Sequence, residues 1–90
     1  MMKGMISMSE LLLTARSSTY AQQMKKIIER SGISAEIVRP DISITKGDCA
    51  YAVKVSPVFS AEVMEVLNKY RVTPVRVVLF DGKGYRELRI

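Results

Sequence analysis

Two stretches of helical periodicity, each set between short apolar runs, constrain this chain more than any other feature. Glu10 to Ala15 reads Glu-Leu-Leu-Leu-Thr-Ala. That run is too short for a core helix and apolar enough for a buried strand. A polar turn follows, Arg16-Ser17-Ser18-Thr19. Tyr20, Met24, Ile27 and Ile28 then recur at helical spacing, with Gln23, Lys25, Lys26 and Glu29 on the other side. Ser18 or Thr19 is the expected N-cap, and Gln22 completes a capping box from Thr19. Gly32 is the expected C-terminal glycine, so the spacing predicts a helix from Thr19 to Ser31.

Ala35 to Arg39 predicts a second strand, stopped by Pro40. Asp41 to Asp48 predicts a loop closed by Gly47-Asp48, and Ala50 to Val55 a third strand. Beyond Pro57, Ser60 is the expected cap of a second helix that ends near Tyr70, with Val63, Val66, Leu67 and Tyr70 inward. Val75 to Phe80 predicts a fourth strand, Asp81-Gly82-Lys83-Gly84 a turn, and Tyr85 to Ile90 a returning edge strand. The expected fold is α+β: a ferredoxin-like split β-α-β-β-α-β antiparallel sheet with both helices on one face, plus a C-terminal hairpin strand. Ninety residues make one core and not two. Residues 1–9 are expected to be a flexible N-terminus, and residues 10–90 the domain.

A sheet covered on one side should alternate apolar and polar residues. Leu11, Leu12 and Leu13 do not, nor do Val77, Val78, Leu79 and Phe80. A second copy of the chain, covering the open sheet face as a homodimer, is the expected explanation.

Composition narrows the function classes. The chain has no histidine and one cysteine. The usual general base is therefore missing, as are Cys-His and Ser-His pairs and the ordinary metal ligand sets. No metal site and no cofactor is expected. One cysteine forms no internal disulfide, which suits a reducing compartment. Met1 to Met8 holds one lysine and no apolar block before a cleavage site, and no run is long enough to cross a bilayer. A cytoplasmic protein without membrane contact is the expectation. The formal net charge of +5 favours acidic partners.

The split topology gives Cys49 an expected place. Strands one and two run in the same direction, so the loop before Cys49 spans the end of the sheet where the first helix starts. Strand three begins there, beside strand one. Cys49 is thus expected next to Arg16 to Thr19. A helix N-terminus carries unpaired N–H groups and a partial positive charge, which favour a thiolate. Arg16 and Lys46 add positive potential, and the hydroxyls of Ser18 and Thr19 offer hydrogen bonds. The competing reading takes Cys49 as a small buried hydrophobe.

Several pieces occur together in order: Ser18-Thr19 opening a helix, Ser31-Gly32-Ile33 closing it, Val38-Arg39-Pro40 ending a strand, Ile44-Thr45 in the loop, then Cys49-Ala50. In this series the chain resembles the selenium/sulfur carrier protein-like family over about Glu10 to Val55, and more weakly through the second helix. The resemblance implies that Cys49 is a carrier thiol, with Ser18 and Thr19 nearby. Ala50 stands where the family has glycine. The implied partner is a donor or acceptor protein in sulfur or selenium transfer, and the implied role is carriage more than turnover. The expected site is then Cys49, with Arg16, Ser18, Thr19, Gly47 and Ala50 around the cargo.

Two other classes compete. A regulatory or small-ligand module would bind an anion on backbone N–H groups of the same loop, with Cys49 incidental. An RNA-binding module would need aromatic residues on its central strands. Strand one has none and strand three has Tyr51, so nucleic acid ranks last.

Overall fold

The computed structural model describes residues 9–40, 50–80 and 84–88. Strand β1 spans Glu10–Ala15, helix α1 Ser18–Arg30, β2 Glu36–Val38, β3 Tyr51–Val55, helix α2 Ser60–Lys69, β4 Val77–Phe80 and β5 Tyr85–Leu88. A 3-10 turn, Pro57–Phe59, leads into α2. The strands form one sheet in the order β2-β3-β1-β4-β5, each antiparallel to its neighbours. The α+β class expected from the apolar runs is therefore present. Residues 1–8, 41–49, 81–83 and 89–90 lie outside the described residues, and with them most of the expected flexible N-terminus, the expected loop before Cys49, the expected turn and the end of the expected last strand.

Alternate strand residues face opposite sides of a sheet. Leu11, Leu13 and Ala15 of β1, Val53 and Val55 of β3 and Val77 of β4 share the face covered by the helices. They form the main core with Ala21, Met24, Ile27 and Ile28 of α1 and with Val63 and Leu67 of α2. On the other face, Leu12, Ala52 and Val78 make a smaller buried cluster, with Val38 against it. These three are only 5%, 0% and 3% exposed within a single chain. The two-sided apolar pattern therefore does not by itself require a second copy. Charged residues lie around them: Lys54 sits 3.6 Å from Glu10 and 3.3 Å from Glu36, and Arg76 sits 3.2 Å from Glu87.

The fourth strand starts later than the sequence suggests, for a definite reason. Thr14 is fully buried, and its Oγ1 accepts from the Arg76 N–H at 2.8 Å. The Val75 N–H donates to the Thr14 carbonyl at 3.0 Å, and the Thr14 N–H donates to the Arg76 carbonyl at 2.9 Å. Two residues thus oppose one, as in a β-bulge, and a hydroxyl takes the place of a ladder carbonyl.

Both helices end on the same six-residue hydrogen-bonding pattern. For α1, the Gly32 N–H donates to Glu29 and the Ile33 N–H to Ile28, with Gly32 at φ +86°. For α2, the Arg71 N–H donates to Asn68 and the Val72 N–H to Leu67, with Arg71 at φ +57°. This left-handed position normally takes glycine, and a side chain there costs about 1 kcal/mol. The pattern ends α2 at Lys69, so Tyr70 is not an inward residue of the helix: it is half exposed. Ser60 is also not the cap of α2. Phe59 holds that position without a side-chain bond, because the 3-10 turn opened by Pro57 already carries the chain into the helix.

Candidate functional site

The turn after β1 fixes the site's geometry. The chain leaves β1 at Ala15 and is helical by Ser18, so Ser17 is the N-cap. Ser17 is extended, and its Oγ accepts from the Tyr20 N–H at 3.1 Å. The Ser17 carbonyl accepts the first helical bond, from Ala21 at 3.1 Å. This corrects the expected cap at Ser18 or Thr19. It also removes the capping box, because Tyr20 and not Gln22 occupies the third helical position. Ser18 and Thr19 are the first two helical residues, where backbone N–H groups have no intrahelical acceptor and the helix dipole is positive. Ser18 is half-buried; Thr19 and Arg16 are exposed.

Strand pairing brings a second segment to this end. Ala15 lies opposite Tyr51 in the antiparallel β1–β3 ladder. Ala50, exposed and just before β3, therefore stands at the same end of the sheet as Arg16, where α1 begins. Arg16, Ser18, Thr19 and Ala50 are thus brought to one end of the molecule. Cys49 and Gly47 lie outside the described residues, as does Lys46.

Two further features belong to this end. Arg39, just past β2, lays its guanidinium over the Tyr51 ring with 5.5 Å to the centroid, a cation–π contact. Tyr51 itself packs on the helix-side core. Tyr20 of α1 joins its hydroxyl to the backbone of Thr73. It accepts from the Thr73 N–H at 2.9 Å and donates to the Thr73 carbonyl at 3.1 Å. The first turn of α1 is thereby tied to the segment after α2.

Sequence reasoning missed three of these residues. Ser17 stood in a row of three hydroxyl residues, any of which can cap. Arg39 becomes visible only once the β2–β3 register sets it near Tyr51. The Tyr20 hydroxyl has its partner 53 residues away in the chain, and no local pattern encodes it.

A family model described as "Putative Se/S carrier protein-like" matches residues 10–78. The chain belongs to that Se/S carrier protein-like family. The match runs from the first residue of β1 into β4, and so contains α1, β3, α2 and the chain's one cysteine. No curated protein and no solved structure matches the chain. For this Se/S carrier-like protein, the described geometry brings the start of α1, Arg16 and Ala50 to one end of the sheet.

Proposed function

We propose that Cys49 carries sulfur, or selenium at the same oxidation level, between partner proteins. The observation that supports this most is the Ala15–Tyr51 pairing. Ala50 is joined to Cys49 by one peptide bond, and that pairing sets Ala50 where α1 presents its positive end. Family membership supplies the cargo class. Arg16 and the Ser18 and Thr19 groups stabilise the thiolate and then the loaded persulfide, and backbone N–H groups at Gly47 and Ala50 line the same loop.

The transfer needs no redox change. The Cys49 thiolate attacks the terminal sulfur of a donor persulfide, R–S–SH. The donor's S–S bond breaks, and its electron pair leaves as R–S⁻. Cys49–S–SH results, and an acceptor thiolate reverses the step to regenerate the Cys49 thiolate. Neither a metal nor a cofactor enters. A reducing, cytoplasmic setting keeps the resting thiol available. In this reading the strand order β2-β3-β1-β4 is the ferredoxin-like split arrangement, in which the start of α1 and the start of β3 share one end of the sheet. A homodimer through the open sheet face is the least supported part, since Leu12, Ala52 and Val78 are covered within one chain.

Intact mass after incubation with a cysteine desulfurase and cysteine tests the proposal. Wild type gains one sulfur, and Cys49→Ser gains none. An unmodified wild type, or equal addition to the variant, contradicts it.

The small-ligand alternative has one observation of its own. A cleft of 480 Å³ lies along the end of α2, lined by residues including Leu67, Asn68, Thr73 and Pro74. A thermal-shift hit that survives Cys49→Ser would favour that reading. RNA binding has less behind it: Leu12 and Ala52 occupy the open face of the central strands and Tyr51 packs toward the helices, so the ring pair Phe80–Tyr85 lies on the outer strands β4 and β5 and not where such sheets stack bases.

A further inference from the structure

The charged residues of the described chain are not evenly neutralised. At the end where β1 begins and β3 ends, ions occur in close sets: Lys54 with Glu10 and Glu36, and Lys25 with Glu29 at 3.2 Å one turn apart near the end of α1. At the opposite end Arg76 pairs with Glu87, but three further arginines also stand there, Arg16 after β1, Arg39 after β2 and Arg71 after α2. All three are exposed, and none forms an ion pair with a described residue.

Pairing and packing set these arginines around one region. Arg39 covers Tyr51, and Tyr51 lies opposite Ala15, the neighbour of Arg16. Tyr20, in the first turn of α1, holds Thr73, two residues past Arg71. The helix N-terminus between them adds positive potential of the same sign. Arg71 further occupies a left-handed position that glycine fills at lower cost. An arginine kept there against backbone preference fits a role for its charge.

We infer that Arg16, Arg39 and Arg71 form a docking rim for an acidic surface on a partner protein. For the identity of that partner, a donor or acceptor of the cargo, the inference rests on the carrier reading. For its chemistry it rests on charge complementarity. Unpaired arginines attract carboxylates, whose approach they steer and orient. The occupant we take is a protein and not nucleic acid, because Tyr51, the ring on the central strand beside Arg16 and Arg39, is capped by the Arg39 guanidinium; Tyr70, next to Arg71, is half exposed, and the polyuridylate arm of the test below addresses it.

The test uses a fluorescent short polyglutamate peptide and the full chain, followed by anisotropy at low and at about physiological salt. Three proteins are compared: wild type, the rim triple R16E/R39E/R71E, and a control triple K26E/R30E/R86E with the same change in net charge. The control residues are exposed and lie on the outer face of α1 and on β5. The rim triple should bind about tenfold more weakly, since each reversal replaces a surface attraction by a repulsion. The control should stay within about twofold of wild type. The set R16Q/R39Q/R71Q, which keeps side-chain bulk, should fall between. Equal loss in both glutamate triples would mean attraction to net charge and overturn the rim. So would the absence of saturable binding by wild type. Tighter, equally rim-dependent binding of a short polyuridylate would overturn the protein partner in favour of nucleic acid. Peptide binding needs no thiol. A chain that binds peptide yet takes up no sulfur sinks the carrier reading alone, and one that takes up sulfur yet ignores the peptide sinks the rim alone.

Discussion

The hydroxyl of Tyr20 both accepts from the Thr73 N–H and donates to the Thr73 carbonyl. One side chain thus satisfies two backbone groups of the segment after α2 while standing in the first turn of α1. The relation fixes the end of the sheet where the proposed chemistry occurs. Tyr20→Phe keeps the ring against the core and removes both bonds. Each bond is worth about 1 kcal/mol at most in this exposed setting. Urea denaturation should show a loss of about 1 kcal/mol, and an unchanged midpoint would mean that water replaces the hydroxyl without cost.

Thr14 does comparable work inside the sheet. Its Oγ1 stands in for a carbonyl in front of the Arg76 N–H at 2.8 Å, at a fully buried position. Thr14→Val preserves shape and leaves that N–H without this acceptor, so stability should drop by about 1–3 kcal/mol. Thr14→Ser keeps the hydroxyl and should lose less than Thr14→Val. The reverse ranking in chemical denaturation would show that the methyl group, not the hydrogen bond, matters.

The cap assignment separates three adjacent hydroxyl residues. Ser17→Ala removes the bond to the Tyr20 N–H and should cost about 1 kcal/mol. Ser18→Ala and Thr19→Ala should leave the denaturation midpoint nearly unchanged, because neither residue caps the helix. Their expected effect is on the Cys49 thiol instead. Thermal and urea midpoints for the three alanine variants read this directly; a loss at Ser18 or Thr19 exceeding that at Ser17 would refute the assignment.

Lys54 gives a pH signature. Its hydrogen bond to Glu36, then the charges of Glu10 and Glu36, raise its pKa above the ordinary 10.5. A raised lysine pKa stabilises the folded state fully below the unfolded value, and that contribution is lost as pH rises through the folded value. Lys54→Met should therefore be less stable than wild type near neutral pH, and the gap should close as pH rises past the ordinary lysine value of 10.5 and through the raised folded-state value. The amino group is partly exposed, so the gap should be small and should shrink with salt. A gap that widens in alkali would mean that the ion pairs are not its origin.

Much of the framework was legible from local pattern. β1 was readable to the residue because Leu11 to Leu13 is an apolar run stopped by Arg16, and Gly32 announced the end of α1. Where reading failed, nonlocal contacts decided. The late start of β4 follows from the Thr14 hydroxyl, a partner 62 residues from Arg76. The end of α2 follows from Arg71 taking a conformation usually left to glycine. The apolar residues on both strand faces were visible, but that Leu12, Ala52 and Val78 are covered within one chain was not. Of the candidate site, Arg16, Ser18, Thr19 and Ala50 do stand at one end of the sheet. Arg39 and Ser17, absent from the expected set, stand there too, since their roles depend on strand register and on the residue at which the helix starts.

Carriage by Cys49 requires that its sulfur rest as a thiolate. The direct measurement is its rate of alkylation by iodoacetamide across pH, followed by intact mass so that one adduct reports one thiol. The expected inflection lies clearly below the free-cysteine value of about 8.5 and moves upward in Arg16→Gln. An inflection at or above that value would contradict it.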